Sequence, residues 1–286
     1  MKQSKHFALK SSFIPAVQQG SPSSPGHWFI FSGDQLLIKQ SPSVVAAQNS
    51  FTPDTLGITL EFSMLFGHYD SIPCFLAAID PEQSVASMSA VNLRTLFGVV
   101  DDDFFSLAGR ALQILHHTRE HIYCSRCATP LQDRKDELAR VCPACDFISF
   151  PRVSPAVIMS VVKDEYILLG RGAHFTKDMY STLAGFVEAG ETLEETVARE
   201  IHEEANISVD QITYVTSQPW PFPHSVMIGY TARYREGEIK IDPKELEDAR
   251  WFHYKDLPKL PSRITIARLL IDNFIASAKT KYDDKR

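Results

Sequence analysis

The chain of 286 residues has no run of apolar residues long enough to cross a bilayer as a helix, so no membrane association through such a span is expected. Its first residues, MKQSKHFALKSSFIPAV, lack the apolar core and cleavage pattern of a secretory signal, and its final DDKR is no peroxisomal tripeptide. A cytoplasmic protein is the expectation. No internal repeat and no low-complexity tract is visible. Positive charge is in deficit, with 29 Lys and Arg against 35 Asp and Glu and a formal net charge of −6. That balance argues against bulk electrostatic binding to nucleic acid and says nothing about a local basic groove. What is present is apolar content, 44% of residues, in a chain long enough for two domains and a small insert.

Cysteine is sparse but patterned. Cys74 stands alone among apolar neighbours and reads as a buried small hydrophobe. The other four form two C-x2-C pairs, Cys124 with Cys127 and Cys142 with Cys145, separated by fourteen residues. Four thiolates at this spacing read as a zinc ribbon, whose closed tetrahedral Zn2+ site is structural and not catalytic. Disulfide and redox readings remain as alternatives, and a cytosolic location disfavours both.

The richest stretch is GFVEAGETLEETVAREIHEEANI, Gly185 to Ile207, with the spacing G-x5-E-x7-R-E-U-x-E-E-x-G-U, where U is aliphatic. Thr192 and Glu195 make a T-x-x-E capping box, so a helix should begin there after a loop holding Gly185, Gly190 and Glu191. At about 100° per residue, Leu193, Val197, Ile201 and Ala205 share a buried face. Glu200, Glu203 and Glu204 occupy the adjoining arc. Carboxylates crowded beside a core repel one another until cations or protons relieve them, and hard oxygen ligands favour Mg2+ or Mn2+. Such a site can neutralise a pyrophosphate and activate water at phosphorus. A solvated, glutamate-rich helix face is the bland reading, and the glycines, the arginine and the full spacing stand against it.

Arg199 has two readings, a clamp on substrate phosphate or an ion-pair partner orienting Glu191 or Glu200. Among so many glutamates the second is favoured. His202 and His224 are not expected to ligate Mg2+ or Mn2+.

The fold expected is α/β (α+β) in three parts: an N-terminal α+β domain over 1–118, a four-cysteine ribbon over 119–150, and an α/β/α sandwich with a mixed sheet over 151–286. In the first part Leu36 to Ile38, Ile58 to Phe66 and Cys74 to Asp80 suggest strands, and Leu107 to His117 has helical spacing. In the last, strands are expected at Pro155 to Val162, Tyr166 to Arg171, Gln211 to Ser217, Ser225 to Arg235, Glu238 to Ile241 and Arg250 to His253. An amphipathic helix over 263–279 closes the chain.

The 185–207 stretch resembles a Nudix box. Asn206 stands where that box has its second glycine, and asparagine is the next-best residue for a left-handed helix cap, so the loop-helix-loop should survive. A second string, SQPWPFPHS from Ser217 to Ser225, together with the ribbon and the box, closely resembles the signature of bacterial NADH pyrophosphatases of the NudC type. The likeness covers about the last 165 residues, through DPKELEDARWFHYKDLP.

The resemblance implies a metal-dependent diphosphatase that splits NADH, and less selectively NAD+, into nicotinamide mononucleotide and AMP, and that can remove the NAD cap from RNA 5′ ends. It implies Mg2+ or Mn2+ held by the Ala184 carbonyl, Glu200, Glu203, Glu204 and Glu245, with Glu204 also acting on the attacking water. It implies Zn2+ on Cys124, Cys127, Cys142 and Cys145. Gln218, Pro219, Trp220, Pro221, Phe222, Pro223, His224 and Ser225 would line the dinucleotide pocket. Phe186 would stack on nicotinamide, and Glu137, Glu245 and Ala267 match substrate contacts. A homodimer is implied as well. The family often has tyrosine after the ribbon where this chain has Phe150, which keeps ring stacking but loses a phenol hydrogen bond. Two other readings stand beside it: a Nudix hydrolase of ADP-ribose or similar compounds, disfavoured by SQPWPFPHS, and a zinc-ribbon nucleic-acid adaptor with a dead Nudix domain, disfavoured by the intact carboxylates.

Overall fold

The computed structural model describes residues 13–19, 21, 23–39, 52–86, 88–173 and 175–283. The N-terminal MKQSKHFALKSS, read above for targeting signals, lies outside the described residues. The chain divides into two compact units, residues 1–152 with 221–224, and residues 153–220 with 225–286.

The first unit holds β1 (Phe13–Gln19), β2 (His27–Ser32), β3 (Gln35–Lys39), β4 (Phe62–Tyr69), β5 (Ile72–Ile79) and β6 (Met88–Asn92), then helix α1 (Asp102–Glu120). Its sheet runs β1-β4-β5-β2-β3-β6, with β2 and β5 the parallel pair. Strand β2 reads Trp28-Phe29-Ile30-Phe31 without alternation because both faces of the sheet are covered. Phe29 and Phe31 meet Leu107, Ala111 and Leu115 of α1 on one side, while Trp28 and Ile30 meet Leu56 and Ile58 on the other. The helix is longer than the 107–117 expected, since the Asp101 carboxylate caps it by accepting from the N–H of Asp103 at 2.9 Å. Cys74 is fully buried in this core, and burial pushes its thiol up to about 12. The ribbon follows, with β7 (Gln132–Asp133), β8 (Arg140–Val141) and β9 (Ile148–Ser149) in one antiparallel sheet.

The second unit holds β10 (Ser154–Lys163), β11 (Tyr166–Arg171), β12 (Leu183–Phe186), α2 (Leu193–Ala205), β13 (Ile207–Trp220), β14 (Ser225–Gly237), β15 (Asp248–His253) and α3 (Ile266–Tyr282). The sheet runs β13-β14-β10-β11-β15, with β12 on β10. Val157, Met159, Val161 and Leu168 face Val197 and Ile201 of α2, and Ile167 and Leu169 face Ile271 and Phe274 of α3. This is the expected three-layer sandwich with a mixed sheet. Val197, Ile201 and Ile271 are fully buried, and each such side chain contributes about 1.5–3 kcal/mol.

One expected strand is absent. Residues 238–241 are irregular, because Gly237 turns the chain at φ 108° and the segment then satisfies the end of α2. The Lys240 N–H donates to the Ala205 carbonyl at 3.1 Å and the Asp242 N–H to that of Glu204 at 3.3 Å.

The two units repeat one topology that no sequence repeat announces. Strands β2 to β6 stand in the order β4-β5-β2-β3-β6, and β10, β11, β13, β14 and β15 stand in the order β13-β14-β10-β11-β15. The two series match strand for strand. Each has its parallel pair at the same place and each is followed by a helix, α1 or α3. The difference lies between the second and third strands of each series. There the second unit inserts β12 and α2, whereas the described part of the first has a single short 3-10 turn, Pro53–Leu56.

Candidate active site

Helix α2 forms where its caps place it. Thr192 Oγ1 accepts from the Glu195 N–H at 3.2 Å, and the Glu195 carboxylate accepts from the Thr192 N–H at 2.8 Å. At the other end Asn206 adopts φ 57°, and its N–H donates to the His202 carbonyl at 2.8 Å. The expected substitute for glycine therefore caps the helix in the left-handed conformation. Gly190, in the loop before α2, has φ 96° and needs glycine's freedom.

The helix brings Glu200 and Glu204 into the unit's interior, 8% and 5% exposed. Glu245 joins them from the loop stitched to the end of α2, and one carboxylate oxygen of each of the three lies within 4.8 Å of the others. Burial, then the charges of Glu200, Glu245 and Glu203, push the Glu204 carboxyl up to about 8. Burial likewise raises Glu200, against the pull of Arg199. Unneutralised carboxylates so placed are a poor way to stabilise a fold and a good fit to a divalent cation, so the donor set suits Mg2+ or Mn2+. Strand β12 leaves room for the same group, since a Cβ on Gly185 would overlap the Glu200 carboxylate.

Glu203 is outside this trio. Its carboxylate pairs with Arg199 at 2.9 Å, one of several bonds that the guanidinium makes. Arg199 Nε and Nη2 grip both oxygens of Glu191 at 2.5 and 2.9 Å, Nη1 reaches Glu200 at 3.0 Å, and Nη2 donates to the Phe186 carbonyl at 3.0 Å. The ion-pair reading of Arg199 describes this geometry: it ties the loop to the helix. In consequence Glu191 is held down to about 2, with Arg199 the main cause. Nothing in the sequence pattern marks Thr196, yet it is fully buried and its hydroxyl donates to Glu191 at 2.9 Å.

Other expected site residues are distributed as follows. Ala184 precedes Gly185 on β12 opposite Ile158, and the Phe186 ring is 59% exposed. Gln218, Pro219 and Trp220 end β13, with Trp220 opposite Ser225, the buried first residue of β14. Ala267 is buried in the first turn of α3. Pro221, Phe222, Pro223 and His224 belong to the first unit, where the Phe222 ring lies under the Arg94 guanidinium at 4.2 Å and 6.4 Å from the Phe105 ring. Phe150, exposed, follows the ribbon in that unit. Glu137 pairs with Arg134 at 3.0 Å and lines a cavity of about 820 Å³ with Phe62, Met64, His117 and Arg140.

The four ribbon cysteines are brought together as free thiols. Both knuckles are built alike. The Cys124 N–H donates to Thr129 at 2.8 Å and that of Cys142 to Phe147 at 2.9 Å, and Ala128 and Asp146, each following its second cysteine, have φ 59° and 57°. The sulfurs lie 3.4 to 3.6 Å apart across the pairs Cys127–Cys142, Cys127–Cys145 and Cys124–Cys145. That is far from disulfide bonding and near the ~3.8 Å edge of a tetrahedron with Zn–S bonds of about 2.3 Å. The donor set fits Zn2+.

Comparison with known proteins agrees with this layout. Residues 151–273 match the model of the NUDIX domain, 25–116 that of the NADH pyrophosphatase-like rudimentary NUDIX domain, and 119–150 that of the NADH pyrophosphatase zinc ribbon domain. The chain is 40% identical over 255 residues to the NAD-capped RNA hydrolase NudC of Stutzerimonas stutzeri (strain A1501), covering 89% of this chain and 92% of that one. It is 42% identical to the NAD-capped RNA hydrolase NudC of Deinococcus radiodurans over 221 residues, 76% of this chain and 79% of that one. Among solved structures, a NUDIX hydrolase from Nitrosomonas europaea aligns with a TM-score of 0.46 and 23% identity, over 56% of this chain and 92% of that one.

Proposed function

This chain belongs to the NADH pyrophosphatase (NudC-type) family of Nudix hydrolases, and from that premise we propose that it hydrolyses the pyrophosphate of NADH and NAD+ and removes NAD caps from RNA 5′ ends. The products are AMP and the mononucleotide of the nicotinamide. The observation that carries the reading is the convergence of Glu200, Glu204 and Glu245 at the end of α2, with Gly185 leaving room for the Glu200 carboxylate.

Glu200, Glu204 and Glu245 are the residues proposed to hold Mg2+ or Mn2+, with the Ala184 carbonyl and Glu203 completing the set. When bound, the ion neutralises pyrophosphate oxygens and acidifies a water molecule. Arg199 holds the loop on the helix through Glu191 and Phe186, which keeps Glu200 aimed inward. Glu204, buried beside Glu200 and Glu245, would take the proton from the attacking water. The water oxygen bonds to one phosphorus, the bridging P–O bond breaks, and the bridging oxygen leaves on the other phosphate. The exposed Phe186 ring offers a stacking face for nicotinamide.

Zn2+ on the ribbon cysteines serves structure. No described helix is long and apolar enough to cross a membrane, and a cytoplasmic homodimer is part of the proposal. Sedimentation at micromolar concentration should give twice the chain mass. Product analysis with NADH, NAD+, ADP-ribose and NAD-capped RNA side by side tests the activity. Release of AMP from NADH in preference to ADP-ribose supports the reading, and hydrolysis of ADP-ribose alone overturns it.

A further inference from the structure

The four ribbon cysteines are not equivalent. Cys124 and Cys142, which open the two knuckles, are 3% and 0% exposed and lie with Leu131 in the small core of the ribbon. Cys127, which closes the first knuckle, is exposed, and Cys145, which closes the second, is half-buried. Solvent therefore reaches the cluster first at Cys127. Its neighbours Ser125, Arg126 and Ala128 are themselves exposed and give it no cover.

The same sulfur has partners within reach. Cys127 Sγ stands 3.4 Å from Cys142 Sγ and 3.5 Å from Cys145 Sγ. Closing the second gap to the ~2.05 Å of a disulfide is a local movement of two side chains. An exposed cysteine poised beside a resolving one is the arrangement most open to peroxides, and in a reducing compartment the disulfide it forms is transient and redox-sensing.

We propose that Cys127 is an oxidation site with Cys145 as its resolving partner, so that a hydroperoxide joins the two and dismantles the four-thiolate zinc site. The Cys127 thiolate attacks one oxygen of hydrogen peroxide; an S–O bond forms, the O–O bond breaks, and hydroxide leaves. The Cys145 thiolate then attacks the Cys127 sulfur; the S–S bond forms, the S–O bond breaks, and a second hydroxide leaves. The two thiolates give up two electrons in all, the peroxide is reduced by them, and solvent protonates both hydroxides. Cys145 resolves the sulfenic acid in preference to Cys142 because solvent reaches it, whereas Cys142 is fully buried and held by the bond from its N–H to the Phe147 carbonyl at 2.9 Å. Cys124 and Cys142 then remain, too few for a closed tetrahedral site. The ribbon core is only Cys124, Leu131 and Cys142 with Cys145 and Phe147 against them, so little apolar packing holds β7, β8 and β9 once the metal leaves.

The test treats full-length, zinc-loaded protein with hydrogen peroxide, follows zinc release with a chromogenic chelator, and maps disulfides by peptide mass spectrometry. About one zinc per chain should be released, together with one Cys127–Cys145 disulfide. Cys74, fully buried, should stay reduced. Amide exchange over residues 119–150 should rise, and dithiothreitol with added zinc should reverse every change. Cys127→His keeps a zinc ligand and removes the reactive sulfur, so it should release zinc to peroxide at least about tenfold more slowly. Should that variant fail to hold zinc, the disulfide map of the wild type decides by itself. Zinc retained under peroxide, a disulfide joining a different pair, or release from zinc-loaded Cys127→His at the wild-type rate would overturn the proposal. None of these readouts involves NADH, so they stand whether or not the chain cleaves it.

Discussion

Gly185 of β12 and Glu200 of α2 occupy one space: a Cβ at position 185 would overlap the carboxylate of Glu200, a residue only 8% exposed. The glycine of the box is thus a matter of room for a functional group. Gly185→Ala should displace that carboxylate while leaving Val197 and Ile201 packed. A misplacement near 1 Å costs on the order of a hundredfold in rate, so kcat/KM on NADH should fall by about that factor. Circular dichroism and thermal melting should change little. A variant with full activity would mean that Glu200 does not need its present position.

Asn206 takes the left-handed cap with φ 57° and ψ 30°. Asn206→Gly should leave stability within about 0.5 kcal/mol, whereas Asn206→Ala, which keeps the Cβ but loses the polar side chain that lets asparagine tolerate this conformation, should cost about 1 kcal/mol. Denaturant unfolding measures both. Equal stability of the alanine variant and the wild type would contradict the cap.

Glu204 lies near 8 in the fold against an ordinary 4.5, chiefly through burial. A raised folded value means that its stabilising contribution is complete below about 4.5 and is lost as pH rises through about 8. Protein freed of Mg2+ and Mn2+, with zinc retained, should therefore lose a few degrees of Tm between about pH 5 and 8.5, on a scale of ~2–4 °C per kcal/mol. Glu204→Gln should flatten that slope, and added Mn2+ or Mg2+ should reverse it. Parallel slopes in wild type and variant would assign the pH dependence to other groups.

The four cysteines gather into one cluster through two matching knuckles. About one zinc per chain is expected from four ligands. Cys124→Ser or Cys142→Ser should lower the zinc content and the melting temperature before it affects chemistry in the second unit. Elemental analysis showing no zinc in wild-type protein purified without chelator would contradict this.

Helix α2 was legible because its determinants are local: the Thr192–Glu195 box, the apolar stripe of Val197, Ile201 and Ala205, and Asn206 all lie within fifteen residues. Glu245 was not legible from its own chemistry. It reaches the site because Lys240 and Asp242 satisfy the last carbonyls of α2, a long-range bond pattern that also removes the strand expected at 238–241. The first unit was legible only in part. Trp28 to Phe31 are buried on both faces and so show no alternation, which hides β2 from a period-two reading. The shared topology of the two units is a relation between strand orders, and strand order leaves no mark in a sequence without a visible repeat. Gln218 could be named from the motif, but its bonds to Ile264 and Ile266 join positions 46 and 48 residues away.

The central claim is that the carboxylate cluster on α2 carries out pyrophosphate hydrolysis, and Glu204→Gln tests it most directly, since it removes one charge without changing volume. Turnover of NADH to AMP and reduced nicotinamide mononucleotide should fall by at least about a hundredfold, the scale of losing an acid–base or electrostatic group. Circular dichroism should match the wild type. Near-normal kcat in a folded Glu204→Gln protein would contradict the account.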